Sequence, residues 1–239
     1  MAGGSYDSAA FLDRYSRLRE RGLFEREAAA AEEHFPAGGR VLDLGCGAGR
    51  TTRPLVERGF GVVAVDLSEA MVERARAAGT GASLATADAA SLPFVDDAFD
   101  AVLFSYNGID ELRPASARRR ALAEVARVLA PGGRFAFSTR NKLRWLLPVP
   151  PSPTVVSRFL RFWALNGLAG TVATRYRHDP TTNSPKRVHY TDPLTQRREP
   201  GGRPRTGGLT RSVRAAVVAV RPGAVRRLRG HARVRSNGG

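Results

Sequence analysis

A single cysteine in 239 residues excludes any intrachain disulfide, so packing rather than cross-linking holds this chain together. That residue, Cys46, lies among glycines, where a small and weakly polar side chain packs easily. It reads as structural, not nucleophilic, and suits a reducing compartment. Apolar runs of membrane-spanning length are missing too. The opening MAGGSYDSAAFLDRYSR is broken by Asp and Arg and has no apolar centre, which argues against a signal peptide. The expectation is a soluble, cytoplasmic protein without a transmembrane segment. Lysine is nearly absent: 36 of the 38 basic residues are arginine, a bias that suggests GC-rich coding DNA. Acids vanish from residues 200–239, where ten arginines stand among Gly, Pro, Ala and Val.

The net charge of +16 looks like a nucleic-acid signal until it is divided by position. Residues 186–239 carry 14 Lys/Arg against Asp192 and Glu199, whereas the first 185 residues hold 24 basic and 20 acidic groups. The basicity belongs to the tail and does not describe the rest. Hydrophobic content of 42% supplies an ordinary core, and the length suits one α/β domain with a modest appendage.

Within that domain, Val41-Leu42-Asp43-Leu44-Gly45-Cys46-Gly47-Ala48-Gly49-Arg50 reads as a buried parallel strand, a tight turn and the opening of a helix. Gly45 permits the sharp turn, and Gly47 and Gly49 let backbone approach a ligand at a helix N-terminus. Alone, these ten residues fit a tight αβ corner as well as a ligand loop. The dinucleotide fingerprint wants a third glycine one place later, but Arg50 sits there. Pro54 is tolerable only in the first turn of the next helix, read as 51–58. Gly61 to Asp66 is a second apolar run ending in an acid. Ser68 can cap a following helix whose buried side is marked by Met71, Ala75 and Ala78. Strands are expected at 82–87, 99–106 and 134–139, with an amphipathic helix over 116–129 presenting Leu122, Val125, Ala126 and Leu129. Strand and helix alternate as in right-handed βαβ units. Three acids, Asp43, Asp66 and Asp88, end successive strands, so their carboxylates are expected to line one crevice at the sheet edge.

The blocks VLDLGCGAGR, VVAVDLSEAMVERAR, ADAASLPF, FDAVLFSY and ALAEVARVLAPGGRFAFSTRN resemble, in order and spacing, the successive motifs of class I S-adenosylmethionine (AdoMet)-dependent methyltransferases that act on small molecules. The resemblance covers about residues 36–141 and continues weakly through His189-Tyr190-Thr191-Asp192. It implies a doubly wound, mainly parallel Rossmann-like sheet of seven strands with helices on both faces, and AdoMet as methyl donor. It implies donor contacts at Asp43, Gly45, Cys46, Gly47, Gly49, Asp66, Leu67, Met71, Asp88, Ala89 and Tyr106. Among these, Asp66 would take the ribose hydroxyls and Asp88 the adenine amino group. Asp43 would order the loop and help receive the ammonium end. No metal is expected. Methyl transfer to a small-molecule acceptor needs a general base only when the acceptor keeps its proton, so none is named. Tyr106, Asn107 and His189 are acceptor-side candidates, although a lone histidine is more often structural.

The chain is read as four parts: a helical lead-in or lid over 1–35, broken near Gly22, with Tyr6, Arg14 and Tyr15 placed to close over the cofactor; the AdoMet-binding core over 36–141; an insertion over the acceptor site at 142–190; and a basic, disordered tail over 191–239. In the insertion, 155–168 fits a lid, a membrane-surface helix or a packed helix. The lid is preferred because insertions at the carboxyl ends of parallel strands face the ligand crevice. Two other functions compete. A nucleic-acid methyltransferase would use the basic tail, but Ser105-Tyr106-Asn107-Gly108 lacks the Pro-Pro-aromatic signature of amino-methylating DNA enzymes. A non-catalytic or impaired AdoMet binder would follow if the last strands are missing or altered. The tail fits either a polyanion-binding segment or an out-of-frame reading of GC-rich DNA beginning near Glu199–Pro200. Oligomeric state and the methylated atom are left open.

Overall fold

A computed structural model describes residues 9–139, 153–168, 176–178 and 187–189. Two helices lead in, α1 (Ala9–Arg19) and α2 (Glu25–His34), and Gly22 between them takes φ +59°. Then β1 (Arg40–Leu44), α3 (Thr52–Glu57), β2 (Gly61–Asp66), α4 (Glu69–Ala77), β3 (Ser83–Thr86) and β4 (Phe99–Phe104) follow in strict alternation up to the β3–β4 loop. A short α5 (Gly108–Glu111), α6 (Ala115–Val128) and β5 (Leu129–Phe137) complete the sheet. Pro54 falls in the first turn of α3, and the Ser68 hydroxyl accepts the Met71 N–H at the start of α4, as the sequence predicts.

All five strands are parallel, in the order β3-β2-β1-β4-β5. Side chains alternate between two apolar layers. Val41, Val62, Ala64, Ala101, Leu103 and Ala136 pack against Ala30, Ala31 and Phe35 of the α2 region and Leu55 of α3. Leu42, Leu44, Val65, Val102, Phe104 and Phe135 pack against Ala121, Val125 and Val128 of α6. The first layer is rich in alanine, which lets α2 lie close across β5. This is a doubly wound sheet with helices on both faces.

Three expectations change. The α6 face is centred on Ala121, Val125 and Val128, with Leu122 and Ala126 only half-buried. Ala121 leaves room for the phenylalanine rings of the sheet, and the longer Leu122 reaches the same cluster from its margin. At α4 the buried trio is Met71, Val72 and Ala75, because Ala78 already lies at the cap. β5 begins at Leu129 rather than after the Pro-Gly-Gly turn; a register shift between Phe99 and Ala101 absorbs Pro131–Gly133 inside the ladder. Among the described residues five strands form the sheet. β6 (Tyr176–His178) and β7 (Arg187–His189) make a separate antiparallel pair inside the expected insertion.

Also in that insertion, α7 (Pro153–Leu168) buries Phe162 and leaves Leu160 exposed; it runs beside β6, while β7 runs beside α5. Among the described residues β5 pairs with β4 alone, and no helix is long and apolar enough to cross a membrane. Tyr6, the Pro148–Pro153 cluster up to residue 152, and the whole basic tail lie outside the described residues.

Candidate cofactor site at the carboxyl edge of the sheet

Where β1 ends, the Gly45 and Cys46 N–H groups both donate to the Val65 carbonyl, at 2.8 and 3.0 Å, so the chain folds back over the end of β2. Gly49 then passes against α4 with φ +87°, where a Cβ would come within 2.6 Å of Thr80 Cγ2. Gly47 is the opposite case. It also has positive φ, but a Cβ there would meet only Tyr15, at 3.8 Å, so its outer face is open backbone. Cys46 is buried, and burial pushes its thiol well above the ordinary range, which leaves a neutral packing group.

The three acids form a staircase rather than a row. Leu44 is level with Val65 and Asp66 with Thr86, so Asp43 sits below the edge, Asp66 at it and Asp88 beyond it. Their environments follow. Asp43 has no exposed surface; its carboxylate accepts from Thr51 Oγ1 at 2.7 and 2.9 Å and from Thr52 Oγ1 at 2.7 Å. Burial raises its pKa to about 6, against the opposing pull of the two hydroxyls and Arg50. It orders the turn, and the expected contact with an ammonium group has no exposed surface to use. Asp66 is half-buried; Oδ2 accepts the Gly47 N–H at 2.8 Å and Oδ1 the Ser68 N–H at 2.9 Å. Desolvation raises its pKa against those backbone bonds. The Leu67 N–H also donates to this carboxylate, whose roughly four lone-pair sites still keep acceptor capacity for a ligand hydroxyl. Asp88 is exposed, its Oδ1 turned onto the Ala90 N–H at 2.8 Å, and Ala89 is buried behind it.

Leu67, beside Asp66, is 56% exposed, an apolar surface at the rim of this edge. Met71 is not at the rim: it is closed in by Leu12 and Ala48, where α1 packs on the glycine turn. β4 gives out at Phe104 because Tyr106 and Asn107 both take left-handed backbone, φ +50° and +63°. Two consecutive non-glycine residues in that region are costly and mark a bend held by its surroundings. The Asn107 N–H donates to Ser138 Oγ at 2.7 Å, while its Oδ1 is buried without a partner. Tyr106 stands edge-on to Tyr15, centroids 5.8 Å apart, and Tyr15 is the side chain nearest the open side of Gly47. Arg14 points into solvent instead. His189 is placed by its backbone on β7, next to α5.

Residues 41–133 match the methyltransferase domain family. Over those residues the chain resembles methyltransferase domains. The chain is 43% identical over 125 residues to a demethylmenaquinone methyltransferase of Clavibacter sepedonicus, covering 50% of this chain and 45% of that protein. It is 44% identical over 135 residues to an uncharacterised methyltransferase of Mycobacterium tuberculosis, covering 53% of this chain and 52% of that protein. Thus the chain spans about half the length of the curated relatives it matches. A solved S-adenosylmethionine-dependent methyltransferase of Mesorhizobium loti superposes with TM-score 0.55 at 25% identity, over 80% of this chain and 94% of that one. A Methanosarcina mazei structure, TM-score 0.58 at 21% identity over 83% and 96% of the two chains, shares the fold.

Three parts of this edge carry no periodic signal. Thr51 and Thr52 hold Asp43. Arg50 and Glu27 pair across 23 residues of chain. The third is Arg127 of α6, which anchors the β3–β4 loop by donating to the carbonyls of Phe94 (2.6 Å) and Leu92 (3.0 Å) and to Asp96 and Glu124. Glu124 in turn accepts the Leu92 N–H at 2.9 Å. Arg127→Ala should therefore loosen the loop that carries Asp88, at a stability cost of about 1–2 kcal/mol in urea unfolding. Amide exchange should rise over residues 88–97 and stay unchanged in β1 and β2.

Proposed function

We propose that the chain transfers a methyl group from AdoMet to a small-molecule acceptor at this edge. The observation that carries the reading is the pairing of an open Gly47 backbone with a half-buried Asp66 carboxylate fixed at the sheet edge by the Gly47 and Ser68 N–H groups. The residues present fit the donor: Asp66 would hold the ribose hydroxyls, Asp88 the adenine amino group and Leu67 a face of the ring. The glycine turn would take the amino-acid end, and Cys46 and Ala89 back the pocket. When bound, the donor supplies a methyl group on a positively charged sulfur, a good electrophile that needs no metal.

The chain's part is orientation and exclusion of water. Tyr15, with Tyr106 edge-on to it, covers the open side of Gly47, and the bend at Tyr106–Asn107 faces the acceptor. β7 with His189, and α7 beyond it, flank α5 and supply cover on that side. The identity to a demethylmenaquinone methyltransferase makes demethylmenaquinone, in its reduced hydroxyl form, the first acceptor to assay. A non-catalytic AdoMet binder is the competing reading. It is distinguished by binding without turnover on any acceptor.

Calorimetry with AdoMet and, separately, NAD tests the donor. Binding of AdoMet alone is expected, and binding of NAD alone ends the proposal. Asp66→Asn removes the charge yet keeps one acceptor for the turn, so the fold should survive while AdoMet affinity falls about tenfold or more. An unchanged affinity would remove Asp66 from the site.

A further inference from the structure

Arg50 stands where the dinucleotide fingerprint has glycine, and the structure shows what an arginine does there. Its guanidinium is 6% exposed and forms a two-pronged pair with Glu27, at 2.7 and 2.9 Å; Glu27 is 3% exposed. The same group donates to the Gly22 carbonyl at 2.7 Å and to the Ser105 hydroxyl, which also donates to Glu27. It lies 4.3 Å from the ring centre of Phe24 and 5.5 Å from that of Tyr106. These partners come from two separate pieces of chain, the α1–α2 junction with the start of α2 and the end of β4, and Arg50 ties both to the glycine turn. Tyr106 then meets Tyr15, the side chain nearest the open face of Gly47.

We propose that Arg50 is the positioning residue of the donor pocket. One buried cation fixes the docking of α1–α2 and the angle of Tyr106 together, and through them the Tyr15 roof over Gly47. The inference rests on reading this edge as the AdoMet site. Two further ion pairs tie the lead-in to the core, Arg74–Asp13 at 3.0 Å and Arg58–Glu32 at 3.3 Å, and both are at the surface, where such pairs contribute little. Lysine cannot replace Arg50: it has charge but no planar fork to hold Glu27, Gly22 and Ser105 at once, and no face to lie on Phe24 and Tyr106.

The test compares Arg50→Lys with the wild-type full-length chain, below the melting temperature of both. One measurement is calorimetric titration with AdoMet. The other is tryptic cleavage after Arg14, Arg17, Arg19 or Arg21, without ligand, mapped by mass spectrometry. AdoMet binding about tenfold weaker and lead-in cleavage about tenfold faster are expected. Equal affinity in a folded Arg50→Lys protein overturns the proposal whatever its melting temperature, because a purely structural role would lower stability and leave the folded pocket intact. Should Arg50→Lys fail to fold, Ser105→Ala decides: it keeps the ion pair, removes only the link to β4, and is expected to weaken AdoMet binding about fivefold. Unchanged affinity there is equally fatal. A wild-type chain that does not bind AdoMet sinks the donor site instead. The ligand-free cleavage then still judges Arg50, with equal rates counting against it.

Discussion

Glu27→Ala is expected to cost the fold about 3–5 kcal/mol, the usual penalty for leaving one partner of a buried ion pair alone. In a chain of this size that corresponds to a fall of about 10 °C in melting temperature. Glu27 also accepts the Phe24 N–H at 2.9 Å, so its loss uncaps α2 as well as stranding Arg50. Arg50 would not be wholly bare, since the Gly22 carbonyl, the two aromatic faces and the field of Asp43 remain, and this places the loss toward the lower end. Glu27→Gln keeps an acceptor for Phe24 or Arg50 and removes only the charge, so it should lose about half as much. Urea unfolding of the three proteins at pH 7 checks the order. If alanine and glutamine cost the same, the hydrogen bonds that glutamine keeps contribute nothing and the charge alone holds the lead-in.

That pair also shows what could be read in advance and what could not. Strands β1, β2 and β4 announce themselves as continuous apolar runs because parallel strands are buried on both faces. Pro54 and Ser68 mark helix starts because the first turn has N–H groups without intrahelical partners. These are local constraints, and local sequence states them. Arg50, Glu27 and Ser105 are separated by 23 and 55 residues, and no periodicity joins them. The one available signal was negative: arginine where a fingerprint wants glycine means the space beyond that backbone is used for something else.

The site acids illustrate the same boundary. Their spacing located the sheet edge, but spacing cannot give height above it. Register does: one strand's last acid is level with another's last but two, so three residues that look equivalent become a buried, a half-buried and an exposed carboxylate. The α6 stripe moved by a related route. Leu122 outranks Ala121 in hydrophobicity, yet the rings of Phe99 and Phe135 favour the smaller residue at closest approach. The last two strands that the resemblance implies would follow residue 191, outside the described residues, while β6 and β7, three residues each, form a separate antiparallel ladder inside the insertion.

The height of Asp43 has a consequence of its own for stability. Its pKa is about 6 in the folded chain against 3.8 as an isolated group, because burial disfavours the charged form more than Thr51, Thr52 and Arg50 favour it. Between those two values the folded state holds a proton that the unfolded state has released, so stability falls as pH rises through the window and the cost is complete above about pH 6. The shift corresponds to about 3 kcal/mol. Asp66 shifts in the same direction, so wild type alone cannot apportion the effect. The difference between wild type and Asp43→Asn can, because Asp66 titrates in both. Measured by urea unfolding from pH 4 to pH 7, that difference should move by about 2 kcal/mol in favour of the asparagine variant, the rest of the shift lying below pH 4. A difference that stays flat would mean that water, or a shift of Arg50 toward the carboxylate, neutralises Asp43 within the fold. The step below the sheet edge would then carry no electrostatic cost.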